Sequence, residues 1–331
     1  MRPFEYASPE TEAEAADLLA DHDGNTAVLA GGTDLLTLLK RDLVTPQRVV
    51  DLKTVPSLVG VTPDIDGVRI GALTPLDELQ QNPLLAGYQS LLDAIDGIRS
   101  VQIQSMGTVG GDLCHLPNCW YFRSGHGLLA MENGESLVET GENRYHAILG
   151  NHGPAKFVSA SRFAPGLISL GARVRIAGPG ADDAETIPLE YFYITPRTER
   201  QGVTILRPGQ FITHILLPSA AGIQSATYDV LASEGLDWPL VSAAAGVQVE
   251  GGLVRDCRIV LGHAAPVPWI AHEAARLLTG RPLNEETAAA AGAAAVAAAT
   301  PLSRNGYKVQ MAAVAVKRAL LKATGQLEGG L

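Results

Sequence analysis

Two glycine-rich turns constrain this chain more than any other feature of its sequence. Ala30-Gly31-Gly32-Thr33-Asp34-Leu35-Leu36 follows a short apolar run at 26–30 and leads into a helix-forming run at 35–40. Gly107-Thr108-Val109-Gly110-Gly111-Asp112-Leu113 comes about seventy-five residues later. Adjacent glycines between a strand and a helix let consecutive backbone N–H groups converge on one point, an anion nest with a helix N-terminus behind it. The second turn offers the same chemistry, with the hydroxyls of Ser105 and Thr108 as extra donors. Two such nests facing each other would clamp a pyrophosphate between two small lobes. Neither turn fits the G-x-G-x-x-G pattern or the P-loop pattern, which sets those nucleotide folds aside.

The rest of the chain supplies the frame. At roughly 100–200 residues per domain, 331 residues make two or three domains. A helix is expected over 9–20, capped by Ser8 or Thr11, with Glu10, Glu12 and Glu14 at its positive end. Strands are expected at 48–52 and 68–70 and a helix at 84–95. From 115 to 154 periodicity is lost and Gly, Asn and His accumulate, the mark of a functional loop or an insertion. Order returns with a strand at 156–160, a helix at 164–170, a strand at 172–176, a turn at 178–183 and a strand at 211–217. After Pro218 the pattern changes to a strand meander at 226–231, 240–250 and 253–261, with a hairpin turn at Glu250-Gly251-Gly252. Helices follow at 272–278, 285–299 and 309–323. Strands followed by helices indicate a separate α+β unit, so the domains are expected at 1–218 and 219–331. Within the first, lobes fall at about 1–55 and 56–218, the latter carrying the inserted loop.

Charge and cysteine content exclude several classes. Thirty-five acids against twenty-five bases give a net charge of −10, and the densest basic cluster is only Lys317, Arg318 and Lys322. That is no nucleic-acid surface. No run approaches the ~20 apolar residues of a membrane span, and residues 1–9 lack an apolar leader core, so a cytoplasmic chain is expected. Three cysteines make no disulfide framework and cannot alone give a cluster four thiolates. Cys114, His115 and Cys119 lack a second ligand pair for zinc, so no metal is expected; Cys257 reads as a core residue. No Gly-x-Ser-x-Gly elbow or Ser/His/Asp order is present, and no catalytic residue is assigned. Arg123 and Arg144 are expected to pair with Glu132 or Glu142. His146 and His152 read as solvated loop residues and His263 as structural.

The two turns together resemble the flavin-binding motifs of the FAD-binding medium subunit of molybdenum hydroxylases, the family of xanthine dehydrogenase and carbon monoxide dehydrogenase. The likeness continues through Cys119-Trp120-Tyr121-Phe122-Arg123 and Asn143-Arg144-Tyr145-His146, which are similar to the 4-hydroxybenzoyl-CoA reductase and bacterial aldehyde oxidoreductase branch. It extends to Leu206-Arg207-Pro208-Gly209, Asp237-Trp238-Pro239 and Gly262-His263-Ala264-Ala265-Pro266. The resemblance implies an α+β fold: a two-lobed FAD-binding domain of the PCMH type, then an antiparallel sheet with a helix bundle. It implies FAD held by Ala30, Gly31, Gly32, Thr33, Asp34, Leu35, Ser105, Thr108, Gly110, Gly111 and Asp112. Tyr193, with Tyr191 and Phe192, lies in the segment that in relatives approaches the isoalloxazine. It also implies electron transfer alongside a molybdopterin-binding large subunit and a [2Fe–2S] small subunit.

The sequence departs from that family at marked places. The branch with this loop carries four cysteines for a [4Fe–4S] cluster; here Cys119 alone remains, and Ala155 stands where another is expected. Asp112 replaces an asparagine, Arg162 replaces an aspartate that hydrogen-bonds the nucleotide, and Asp229 replaces a lysine. These departures keep two alternatives open. One is a freestanding flavin-dependent oxidoreductase, a homo-oligomer acting on a small molecule; the other is a flavin-free scaffold subunit.

Overall fold

Glu12 and Glu14 fall in the first turn of α1 (Glu12–Ala20), where the helix dipole favours them, and Thr11 Oγ1 accepts the Glu14 amide at 3.2 Å. Thr11, not Ser8, is therefore the cap. The computed structural model describes residues 1–20, 25–180, 183–233 and 236–327. Of the expected turn at 178–183, residues 181–182 lie outside those described. Three short strands, β1 (Glu5–Ala7), β2 (Thr26–Leu29) and β3 (Arg48–Asp51), form a parallel sheet in the order β1-β3-β2. Val49 and Val50 on the central strand are buried. β2 delivers the first glycine turn, and α2 (Leu35–Lys40) leaves it.

The second lobe begins with β4 (Val61–Asp64), β5 (Gly67–Gly71) and α3 (Leu76–Gln81). The helix expected at 84–95 is broken: Pro83 opens a 3-10 turn capped by Asn82, and α4 (Gln89–Asp96) starts only after Gly87. α5 (Val101–Met106) and α6 (Val109–Leu113) flank the second glycine turn. The inserted loop contains α7 (Trp120–Arg123), a hairpin of β6 (Met131–Glu132) and β7 (Glu135–Ser136), and α8 (Leu137–Thr140). Then come α9 (Ala164–Ser169), buried at every residue, and β8 (Arg173–Ala177), β9 (Ala184–Pro188) and β10 (Phe211–Pro218). The five strands pair antiparallel in the order β4-β5-β10-β8-β9. Ile70, Leu91, Phe163, Phe192 and Ile215 share one core beneath this sheet. Ala15, Leu19, Val50 and Leu58 pack with Ala177 and Phe211, which fuses the two lobes; Arg175 pairs with Glu12 at 2.8 Å beside that seam.

The last part is a four-stranded antiparallel sheet, β11 (Gln224–Val230), β12 (Val241–Glu250), β13 (Leu253–Gly262) and β14 (Trp269–Ile270), with α10 (His272–Leu278), α11 (Glu285–Ala295) and α12 (Tyr307–Ala323) on it. Gly251 and Gly252, at φ 59° and 81°, make the tight β12–β13 turn that only positive φ allows. Alanine on facing surfaces (Ala245, Ala288, Ala315 and Ala319) lets helices and sheet approach closely.

The inserted loop is stitched to this last part. The expected strand at 156–160 is absent because its backbone is paired elsewhere: the Lys156 carbonyl accepts from Ala147, and the Ser159 amide donates to Ala265. Lys308 is buried and donates to the carbonyls of Tyr145, His146 and His263 at 3.2, 3.1 and 2.8 Å. Burial pulls its ammonium down to about 7; three carbonyls that only a protonated nitrogen can satisfy together oppose that pull. His146 is not solvated but 3% exposed, and His263 is buried as expected with φ 56°.

Burial holds His146 down to about 4 and His263 down to about 3, so both fold as neutral rings. The unfolded chain takes up those protons first, near pH ~6.5, so stability present above that pH is lost as pH falls toward the folded values. Urea unfolding should lose on the order of 3 kcal/mol between pH 6.5 and 4 from His146 alone. The His146→Asn/His263→Asn variant should flatten the slope between about pH 6.5 and 5, where few carboxylates titrate; an unchanged slope would refute this account.

Candidate functional site

Both glycine turns line one cavity of ≈ 840 Å³ between the two lobes, with Asp34, Arg123, Arg162 and Trp238 on its walls. Gly32 takes φ 74° at the bend out of β2. Among the described residues no acceptor takes the amides of Gly31, Gly32, Thr33, Asp34 or Leu35, and they form the open donor cluster of the site. A Cβ on Gly31 would lie 1.6 Å from the Met106 carbonyl oxygen and 3.3 Å from Gly107 Cα. The two turns therefore touch, backbone against backbone.

The second turn differs from the expectation of a second open nest. Gly110 N–H donates to the Ala72 carbonyl at 2.8 Å, Gly111 N–H to Thr108 Oγ1 at 3.1 Å, and Asp112 N–H to the Thr108 carbonyl at 3.0 Å. Apart from the Thr108 amide, for which no acceptor is present among the described residues, its amides are committed inside the protein, to the Ile103, Thr74 and Ala72 carbonyls and to the first turn of α6. Its glycines serve close approach instead: a Cβ on Gly110 would meet Ala72 Cβ at 2.7 Å. The turn is a wall facing the donor cluster. Ala30, Gly31, Gly32, Thr33, Asp34, Leu35, Thr108, Gly110, Gly111 and Asp112 all line the cavity. Ser105 and Tyr193 do not. Ser105 is exposed with its hydroxyl turned back to the Gln102 carbonyl, and Tyr193 packs beneath the second turn, donating to the Leu113 carbonyl at 3.1 Å.

The charged side chains at the departure positions are each tied to groups of the protein. Asp112 turns away from the cluster: its carboxylate accepts Ser161 Oγ at 2.5 Å and the amides of Phe163 at 3.1 Å and Arg162 at 3.2 Å. Burial pushes its carboxyl upward in spite of these bonds. Arg162 Nη2 reaches the Gly97 carbonyl at 3.0 Å and Asp229 at 2.8 Å. The two sign changes, Arg162 and Asp229, thus meet as one buried ion pair. Among the described residues, Arg162 Nε is buried without a partner.

Arg123 is the residue that sequence reasoning misplaced. Arg144 does pair with Glu142, at 2.7 Å, but Arg123 crosses to the first glycine turn and grips Asp34 at 2.6 and 3.3 Å. A separation of 89 residues leaves no local signal; the only hint was an acid inside an anion nest. Cys119 and Ala155 pack with Leu116, Leu128, Leu129, Phe157 and Val203 in a small apolar cluster. Burial raises the Cys119 thiol and pushes Cys114 up to about 12, so both stay protonated. Among the described residues no three His, Cys, Asp or Glu side chains are grouped to hold a metal ion.

Residues 2–220 match the family model described as the FAD binding domain in molybdopterin dehydrogenase, and residues 226–323 match the CO dehydrogenase flavoprotein C-terminal domain. The carbon monoxide dehydrogenase medium chain of Hydrogenophaga pseudoflava is 26% identical over 322 residues, covering 96% of each chain. The aldehyde oxidoreductase FAD-binding subunit of Escherichia coli is 29% identical over 339 residues, covering 98% of this chain and all (100%) of that one. A solved carbon monoxide dehydrogenase from Hydrogenophaga pseudoflava superposes with a TM-score of 0.76 at 27% identity, covering 98% of this chain and 99% of the other.

The Arg162–Asp229 pair has a measurable consequence. Arg162→Met leaves a buried carboxylate without its counter-charge and should cost about 3–5 kcal/mol in urea unfolding, whereas Arg162→Met/Asp229→Leu should recover most of that loss. A double variant as unstable as the single one would mean the two side chains are not coupled.

Proposed function

The chain belongs to the family of FAD-binding medium subunits of molybdenum hydroxylases, and we propose that it works as the electron-transfer subunit of such a complex. The observation that carries the site assignment is the open amide cluster of Gly31 to Leu35 pressed against the second turn inside the cavity. Those amides hold the FAD pyrophosphate, and Thr108, Gly110 and Gly111 form the wall that keeps it there.

When bound, FAD exchanges electrons in pairs or singly and so joins a two-electron reaction to one-electron iron–sulfur carriers. The chain supplies the rest: it binds the phosphates, fixes the cofactor between two fused lobes, and presents it at a cleft that the C-terminal part overhangs through Trp238. Residues 1–218 carry the flavin, and 219–331 form a second domain; the gap between the family matches, after 220 and before 226, supports that division. Tyr193 acts on the flavin only from behind the second turn, through the Leu113 backbone it holds. Partners are a molybdopterin-binding large subunit and a [2Fe–2S] small subunit, in the cytoplasm. Among the described residues no helix is long and apolar enough to cross a membrane.

The purified chain should be yellow and release FAD on heating, and it should co-purify with a large molybdenum-containing chain and a small [2Fe–2S] chain. A colourless protein that takes up no added FAD would overturn the reading. A yellow chain without partners whose flavin a small molecule reduces would favour a freestanding oxidoreductase. Gly31→Ala, whose Cβ cannot coexist with the Met106 carbonyl, should pry the turns apart and lower FAD retention by at least about tenfold.

A further inference from the structure

The first glycine turn contains a contradiction. Its free amides invite an anion, yet Asp34 puts a carboxylate among them, and that carboxylate makes no capping bond to α2. Arg123 resolves it. Nη1 donates to Asp34 Oδ1 at 2.6 Å and Nη2 to Oδ2 at 3.3 Å, a forked pair in which the side chains are only 12% and 20% exposed. Water therefore screens the pair poorly.

The guanidinium is itself held. Nε donates to the Pro117 carbonyl at 2.9 Å and Nη2 to the Leu116 carbonyl at 2.9 Å. Arg41, the residue after α2, returns the connection by donating to the Arg123 carbonyl at 3.3 Å. The inserted loop and α2 are thus fastened in both directions. His115 Nδ1 adds a weaker contact, 3.6 Å from Asp34 Oδ2.

We propose that Arg123 is a positioning residue for FAD: it neutralises and immobilises the Asp34 carboxylate, so that the amides around it can receive the pyrophosphate. The inserted loop thereby becomes part of the cofactor site although its backbone belongs to another stretch of chain. The inference rests on the flavin reading above. Asp34 is then not a ligand through its side chain; its carboxylate is a charge that Arg123 must cancel.

The test is FAD affinity of the flavin-stripped full chain, read by flavin fluorescence, together with the melting temperature of each flavin-free variant. Arg123→Gln leaves a bare carboxylate beside the phosphates and should weaken FAD by about 30-fold or more, a loss that shrinks as salt rises. Asp34→Asn leaves an uncompensated cation and should tighten FAD by about threefold. Arg123→Gln/Asp34→Asn should regain at least about tenfold of the single-variant loss. An Arg123→Gln chain that binds FAD as wild type does would overturn the proposal. So would a double variant as weak as Arg123→Gln, or an Asp34→Asn chain that binds more weakly than wild type. Asp34→Asn removes no buried packing, so its result stands even if Arg123→Gln fails to fold. A wild-type chain that takes no FAD removes the flavin reading itself; a failure confined to the variants removes only the role of this pair.

Discussion

The contact between the first glycine turn and the Met106–Gly107 backbone governs the geometry of everything around it. A side chain at residue 31 is sterically impossible at this distance, so the two lobes meet at van der Waals range only because Gly31 has none. That contact fixes the width of the cavity. It also divides the labour between turns that look alike in sequence: one keeps its amides free, and the other commits all but the Thr108 amide to its neighbours and to the start of α6. A nest needs unoccupied donors, so glycine content alone does not make one.

Charge is handled in the cleft by the same economy of pairing. Asp34 and Asp112 line the cavity and Asp229 stands behind Arg162, and each has its own answer. Asp112 is tied to the backbone ahead of α9 and to Ser161, Asp229 is tied to Arg162, and Asp34 is tied to Arg123. In each case the answering group comes from a segment remote in sequence. An anionic cofactor is therefore compatible with these acids: Asp34 and Asp229 are paired with arginines, and Asp112 is hydrogen-bonded away from the donor cluster.

Much of the frame was legible beforehand, for identifiable reasons. α2 and α10 follow from apolar spacing with clean boundaries, and the β12–β13 hairpin follows from paired glycines between alternating strands. β1 was missed because three residues, two of them exposed, carry no pattern and become a strand only by pairing with β3. Residues 156–160 looked like a strand from composition, but Phe157 serves the loop cluster and the backbone bonds of Lys156 and Ser159 go to Ala147 and Ala265. In the site, the glycines were readable because their chemistry is local. The partners of Asp34, Asp112 and Asp229 were not, since a pair 49 to 89 residues apart leaves no periodicity to read.

The inserted loop gains its meaning from how it is braced. Apolar packing around Cys119 and Ala155 supports one side of it, and Lys308 with the carbonyls of Tyr145, His146 and His263 supports the other. Asn143 and Asn151 add bonds to Ser303 and Thr300 from the C-terminal helical region. A segment held on both sides loses little further entropy when it presents a side chain, which is the condition for an effective positioning group. Arg123 projects from this braced loop into the first glycine turn, so the loop that grips Asp34 is itself anchored on the C-terminal part of the chain. The packing of α12 against the loop and the geometry of the donor cluster are thus linked through a continuous set of contacts: Lys308, the loop backbone, Arg123 and Asp34.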